Sequence, residues 1–223
     1  MKTLKPVESY ATRPALPPWL RLPSGIVAVL AAVLVAVLAL IHIDDANPGG
    51  FDGPLQESLW NVQPPLRYLA LAIDFCGEPV GAALVITALA VACLLLRRPR
   101  LAVLAVAGVA LVGAVSSALK HVVGRTIHGE YLSFPSGHTA SLTTVALVLA
   151  LLVADLRRAG RLETVLLTVI AAVLAGIAAG WSQVALGAHY PTDTFGGFCT
   201  ALVIVPVTAL LVDQGFSRWA ARR

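Results

Sequence analysis

Two short stretches carry residues that can do chemistry. Residues 134–141 read FPSGHTAS, and residues 181–197 read WSQVALGAHYPTDTFGG. In the first, Pro135 and Gly137 allow a sharp entry into an uninterrupted run of helix formers beginning at His138. Ser136, Gly137 and His138 therefore fall at a helix N-terminus, where unpaired backbone N–H groups and the helix dipole favour an anion. The absent side chain at Gly137 would let that anion approach the backbone. In the second, His189 and Asp193 are four apart, with Pro191 and Thr192 opening a helix between them. That spacing lets the carboxylate accept from Nδ1–H and leaves Nε2 as a nucleophile or base.

Lys120 and Arg125 precede the first stretch in LKHVVGRTIHGEYLS, so two cations, two histidines and an anion-ready helix end come together. The set suits attack on phosphorus. Cations and amides hold the oxygens, one histidine attacks, and the other protonates the leaving oxygen. A bound metal is not expected, because Lys120 and Arg125 would repel a cation; nor is any other cofactor. The local alternative is structural, with Ser136 and Asp193 merely capping helices. Against it stands the expense of a carboxylate such as Asp193 in an apolar helix.

The elements that position these residues are hydrophobic. Of 223 residues, 58% are hydrophobic and 13% charged, with mean hydropathy +0.84. Soluble domains carry about 25% charged residues. The composition predicts an all-α, polytopic membrane bundle, with six spans near 25–43, 78–96, 101–119, 138–155, 163–182 and 193–213. Residues 1–24 and 214–223 read as tails, and the chemistry lies within 120–193. Cys93 and Cys199 sit in apolar runs as packing residues, and no disulfide framework is implied. Gly176 and Gly180 form a GxxxG that allows close helix packing.

The net charge of +4 does not point to nucleic acid, because the basic residues occupy alternate loops. Lys2, Lys5, Arg13 and Arg21 precede the first span; Arg97, Arg98 and Arg100 follow the second. Arg157, Arg158 and Arg161 follow the fourth, and Arg218, Arg222 and Arg223 follow the sixth. The positive-inside rule makes this side cytoplasmic, with both termini. Only Arg67, Lys120 and Arg125 lie elsewhere, so the chemistry is expected on the extracytoplasmic face of a cell membrane. The first span is too long for a signal-peptide core, and no small-x-small cleavage site follows it, so it reads as a retained anchor. Residues 54–75 mix Pro54, Pro64 and Pro65 with Trp60 and Tyr68, which predicts an interfacial segment between the first two spans. His42 reads as an interfacial residue ending the first span. The oligomeric state is not legible.

With these residues in hand, the chain resembles the type 2 phosphatidic acid phosphatase superfamily, over roughly 78–213. That group also contains bacterial lipid-pyrophosphate phosphatases and vanadium-dependent haloperoxidases. The central block matches outright as Pro135-Ser136-Gly137-His138. The last, Ser-Arg-x5-His-x3-Asp, is matched at Ser182, His189 and Asp193, and the first, Lys-x6-Arg-Pro, at Lys120. The resemblance implies that His189 becomes phosphohistidine, that Asp193 orients it and that His138 is the general acid. It implies phosphate binding by Lys120, Ser136, Gly137 and Ser182.

Two positions depart from the pattern. Ile127 stands where the first block has arginine, and Gln183 where the last block has one. Arg125 is expected to replace the former, while Gln183 donates hydrogen bonds without charge. A hydrogen bond to a charged group contributes about 1.5–3 kcal/mol, so each loss weakens binding or rate without removing nucleophile or acid. A site at the depth of lipid headgroups favours a lipid phosphate or pyrophosphate as substrate. The order expected is polyprenyl pyrophosphate, then phosphatidylglycerol phosphate or phosphatidic acid. The competing class is a non-enzymatic lipid-binding or transport relative that kept the pocket.

Overall fold

The structure, a computed structural model, describes residues 13–222. Lys2, Lys5 and Arg223 of the basic clusters lie outside the described residues. The elements run α1 (Pro18–Ile41), α2 (Gly49–Leu59), α3 (Leu66–Gly77), α4 (Pro79–Leu95), α5 (Pro99–Val123), β1 (Thr126–Ile127), β2 (Tyr131–Leu132), α6 (Gly137–Arg157), α7 (Arg161–Ala185) and α8 (Pro191–Ala220). Proline stands at the first or second position of α1, α4, α5 and α8. Its fixed φ suits a helix start, and its missing N–H is not needed there.

Helices α1, α5, α6, α7 and α8 are each long and apolar enough to cross a bilayer. The second expected span, 78–96, differs from expectation. Helix α4 has 17 residues, about 26 Å at 1.5 Å per residue and short of the hydrocarbon core. It joins α3 as a pair bent by 69°. The segment expected at the interface is accordingly two short helices, α2 and α3, that pack over the ends of the long ones. Helix α2 lies on α7 and α8, and α3 lies on α7, α4 and α6.

Helix α6 is central, packing on α5, α7 and α8, while α1 runs along α8 and α4 along α5. One buried cluster joins Leu20, Leu89, Leu104, Val148 and Leu151; a second, nearer the candidate site, joins Val35, Val123, Phe134 and Cys199. Cys93 and Cys199 are both buried packing residues. The GxxxG of α7 does what its spacing implies. A Cβ at Gly176 would come within 2.6 Å of the Phe198 ring, and one at Gly180 within 3.0 Å of Thr194 Oγ1.

Both ends of the membrane domain run further than the hydropathy indicates. Helix α1 begins at Pro18 and α8 continues to Ala220. The reason is Asp213, which is buried and accepts hydrogen bonds from the backbone N–H groups of Ala15 (2.7 Å) and Leu16 (3.3 Å). Arg100 and Arg21 reach the same carboxylate at 3.2 and 3.4 Å. Asp155 similarly pairs with Arg13 and Arg98. Several of the basic residues that mark one side of the membrane thus also bolt the helix ends together.

If that side is cytoplasmic, single cysteines at 129 and 159, in a background freed of Cys76, Cys93 and Cys199, should react with an impermeant maleimide from opposite faces. Labelling of both from one face would refute the six-span arrangement.

Candidate active site

Helix α5 ends at Gly124, whose left-handed φ of 67° makes the C-cap and turns the chain. A two-residue antiparallel hairpin follows, pairing Thr126 with Leu132 and Ile127 with Tyr131. The chain then enters α6, with Ser136 as N-cap. The Ser136 hydroxyl accepts from the Thr139 N–H at 3.4 Å, and its own N–H donates to the Asp193 carbonyl at 2.9 Å. The PSGH segment therefore sits at a helix N-terminus, as its residue types require, and is tied directly to the start of α8.

At that start, Tyr190 and Asp193 form a capping box, with Asp193 Oδ2 accepting from the Tyr190 N–H at 3.0 Å. His189 is nearly buried, its Nδ1 3.6 Å from the same oxygen. This distance is an ion-pair separation and not yet a hydrogen bond. Burial pushes the Tyr190 phenol up, against the opposing pull of Arg125. Lys120, half-buried in the last turn of α5, stands within electrostatic reach of Asp193. His138 is likewise within reach of His189, Lys120, Asp74 and Glu78. Five elements (α3, α5, the α6 start, α7 and the α8 start) thus converge on one place.

Three residues expected to hold phosphate are engaged otherwise. Arg125 has no exposed surface. One guanidinium nitrogen donates to Asp193 Oδ1 and to Thr192 Oγ1, both at 2.7 Å, and the other donates to Asp52 Oδ2 at 2.7 Å. Its guanidinium lies 4.3 Å from the Tyr190 ring centroid. Two carboxylates and an aromatic face account for it, so it backs the His189–Asp193 pair and does not take the place of the arginine expected at 127. Ile127 itself is buried in the hairpin. The hydroxyl of Ser182 donates to the Ala70 carbonyl at 2.8 Å, which joins α7 to α3 and turns it away from an anion. The Gln183 amide donates to Asp74 Oδ1 at 2.7 Å.

Of the remaining histidines, none joins the pair. His128 Nε2 lies 2.9 Å from the Gly187 carbonyl and its ring is 6.4 Å from Trp60, closing the α7–α8 turn. His121 is exposed. His42, at the end of α1, is buried, with Nε2 3.4 Å from Thr192 Oγ1 and Nδ1 3.4 Å from Asp45. Among the described residues, no three His, Cys, Asp or Glu side chains converge as metal ligands.

Sequence reasoning missed Asp52 and Asp74. Asp52 is 1% exposed and accepts from the Thr192 N–H (2.9 Å) and hydroxyl (2.6 Å) besides Arg125, so α2 caps α8 from outside. Asp74 lies in the segment expected at the interface, and Asp52 just before it. The only signal available was an acidic residue placed among apolar ones.

Residues 101–216 match the PAP2 superfamily. More than half of the chain is covered, and the chain belongs to that family. In three dimensions it is similar to the first transmembrane PAP2 type phosphatidylglycerolphosphate phosphatase from Bacillus subtilis. The TM-score is 0.66 at 24% identity, over 86% of this chain and 96% of the other, which shows a shared multi-pass membrane fold. No curated protein sequence matches the chain.

Removing one member of a buried ion pair leaves an uncompensated charge and costs about 3–5 kcal/mol. Arg125→Ala strands both Asp52 and Asp193. It should lower the thermal unfolding midpoint in detergent sharply, with activity falling alongside. Arg125→Lys should recover only part, since one ammonium cannot span two carboxylates as a guanidinium does. An unchanged midpoint in Arg125→Ala would show that the cluster is not the support described.

Proposed function

We propose that this protein is an integral-membrane lipid phosphate or pyrophosphate phosphatase acting through a phosphohistidine on His189 at the extracytoplasmic face. The observation that carries the proposal is the buried His189–Asp193 pair, held from behind by Arg125 and set beside a helix N-terminus that presents His138. Nε2 of His189 attacks phosphorus, the bond from phosphorus to the leaving oxygen breaks, and that oxygen takes a proton from His138. Water then attacks the phosphohistidine and gives a proton back to His138. Inorganic phosphate leaves, and His189 is restored.

Phosphate oxygens have Lys120 and the amides that open α6 as partners. An added Cβ at Gly137 would meet nothing nearer than Ser116 Cβ at 4.0 Å. Packing alone therefore does not demand glycine there, whereas close approach of an anion to the backbone does. With Arg125 engaged and Gln183 uncharged, fewer cations face the phosphate than the family pattern supplies.

A lipid substrate is favoured because an acyl or prenyl chain stays in the bilayer while its headgroup reacts; we order polyprenyl pyrophosphate before phosphatidylglycerol phosphate or phosphatidic acid on the resemblance to bacterial family members alone. The Bacillus subtilis structure bears the name of a phosphatidylglycerolphosphate phosphatase, which keeps that lipid among the first to assay. The non-enzymatic reading draws on the uncharged residues at 127 and 183. It predicts lipid or vanadate binding without turnover.

The deciding assay is phosphate release from these lipids by purified protein in detergent with EDTA present. His189→Ala should abolish turnover, a loss of at least about 10³-fold, while the protein still folds. His138→Ala should cost most on substrates with poor leaving groups, and equal loss on good and poor ones would remove it from the acid role. No release by the wild-type protein from any lipid phosphate, with vanadate still bound, would favour the binding protein.

A further inference from the structure

Asp74 has no part in the reaction as drawn, yet its carboxylate stands beside the proposed acid. Oδ1 lies 3.5 Å from His138 Nε2 and accepts from Gln183 Nε2 at 2.7 Å. Gln183 is 1% exposed, and its Oε1 and the His138 Nε2 are buried without hydrogen-bond partners. One turn of α3 further on, Gly77 packs against the His138 ring so closely that an added Cβ would collide with it. Helix α3 is itself fixed by the Ser182 hydroxyl on the Ala70 carbonyl. The chain of support therefore runs from α7 through Ser182 and Gln183 to α3, and from α3 through Asp74 and Gly77 to the imidazole.

We propose that Asp74 is a positioning residue for the acid step. It holds the His138 ring through Nε2 and leaves Nδ1 to face the leaving oxygen. A carboxylate at this distance attracts the proton that the ring must carry before it can donate one. The other charged groups facing His138 are His189, Glu78 and Lys120. The residue at 183 belongs to the same device. A guanidinium there would cancel the Asp74 charge, whereas the glutamine amide orients the carboxylate and leaves its charge intact. The glutamine at 183 and the acid at 74 thus form one unit, and each histidine of the site has its own carboxylate.

The kinetic half of the test rests on the phosphatase reading; the spectroscopic half does not. In the full-length protein in detergent, Asp74→Asn should lower kcat by roughly 10–100-fold on alkyl phosphates, whose leaving oxygen needs a proton. It should change KM little. Aryl phosphates with good leaving groups should lose less than about threefold, since they need little acid help. Asp74→Glu should recover part of the alkyl rate, and vanadate binding should persist in both variants as proof of a folded pocket. With ¹⁵N-labelled histidine, the ring resonances of His138 should move in Asp74→Asn while those of His189 stay. Equal losses on alkyl and aryl substrates, or unmoved His138 resonances in a variant that binds vanadate, would overturn the proposal. If the wild type hydrolyses no lipid phosphate, the phosphatase reading falls and the resonances alone decide the pairing.

Discussion

The site depends on a single buried cation. Arg125 sits without solvent between Asp52 of α2 and Asp193 of α8, with Thr192 and the Tyr190 ring completing its surroundings. Burying any of these charges alone would cost several kcal/mol. Together they fix three separate pieces of chain: the α5–α6 loop, the outer helix α2 and the first turn of α8. Asp193 can face His189 with one oxygen because the other is held by Arg125. The Ser136 N–H, bonded to the Asp193 carbonyl, then sets the start of α6 against the same point. His189, its carboxylate and the helix that carries His138 are placed by one electrostatic knot.

Much of this was legible in the sequence, because membrane spans and helix starts leave strong local signals. Hydropathy located every long helix, and Pro135-Ser136-Gly137-His138 and His189…Asp193 marked the two helix N-termini that meet. What the sequence withheld was direction. Arg125 is five residues after Lys120, and spacing alone cannot show that one side chain faces the site while the other turns inward to two acids. Ser182 fits the family pattern, yet its hydroxyl faces a backbone carbonyl of α3. Asp52 and Asp74 lie in a stretch with three prolines and no sustained apolar period. Nothing local could reveal that its two short helices would fold over the bundle and bring carboxylates to it. The overrun of α8 to Ala220 escaped for a related reason, since the partners of Asp213 are nearly the whole chain away in sequence.

The charge balance of the site sets this chain apart within its family pattern. Two positions that elsewhere carry arginine hold a buried isoleucine and a glutamine, and the glutamine faces an acid. The remaining arginine is consumed by carboxylates. In the proposed phosphatase, a phosphate here would lean on Lys120 and on backbone amides, whose partial charges at a helix end are fixed in place and need no reorganisation. On that proposal, an arrangement built on dipoles more than on full charges would give up affinity for a free dianion and leave the hydrocarbon chain of a lipid to supply the difference.

Helix α8 is gripped at both extremities, by Arg125 and Asp52 near Asp193 and by Arg100, Arg21 and the Ala15–Leu16 backbone at Asp213. Its 30 residues span about 45 Å, well beyond a hydrocarbon core of about 30 Å. A rod clamped at two distant points can neither slide by a turn nor rotate without breaking one clamp. It behaves as the strut of the molecule, keeping its register whatever the thickness of the surrounding bilayer. Accommodation to a thinner or thicker membrane then falls to the elements that are not clamped in this way, the short α4 and its bent junction with α3 foremost, by tilting or by local deformation of the lipid.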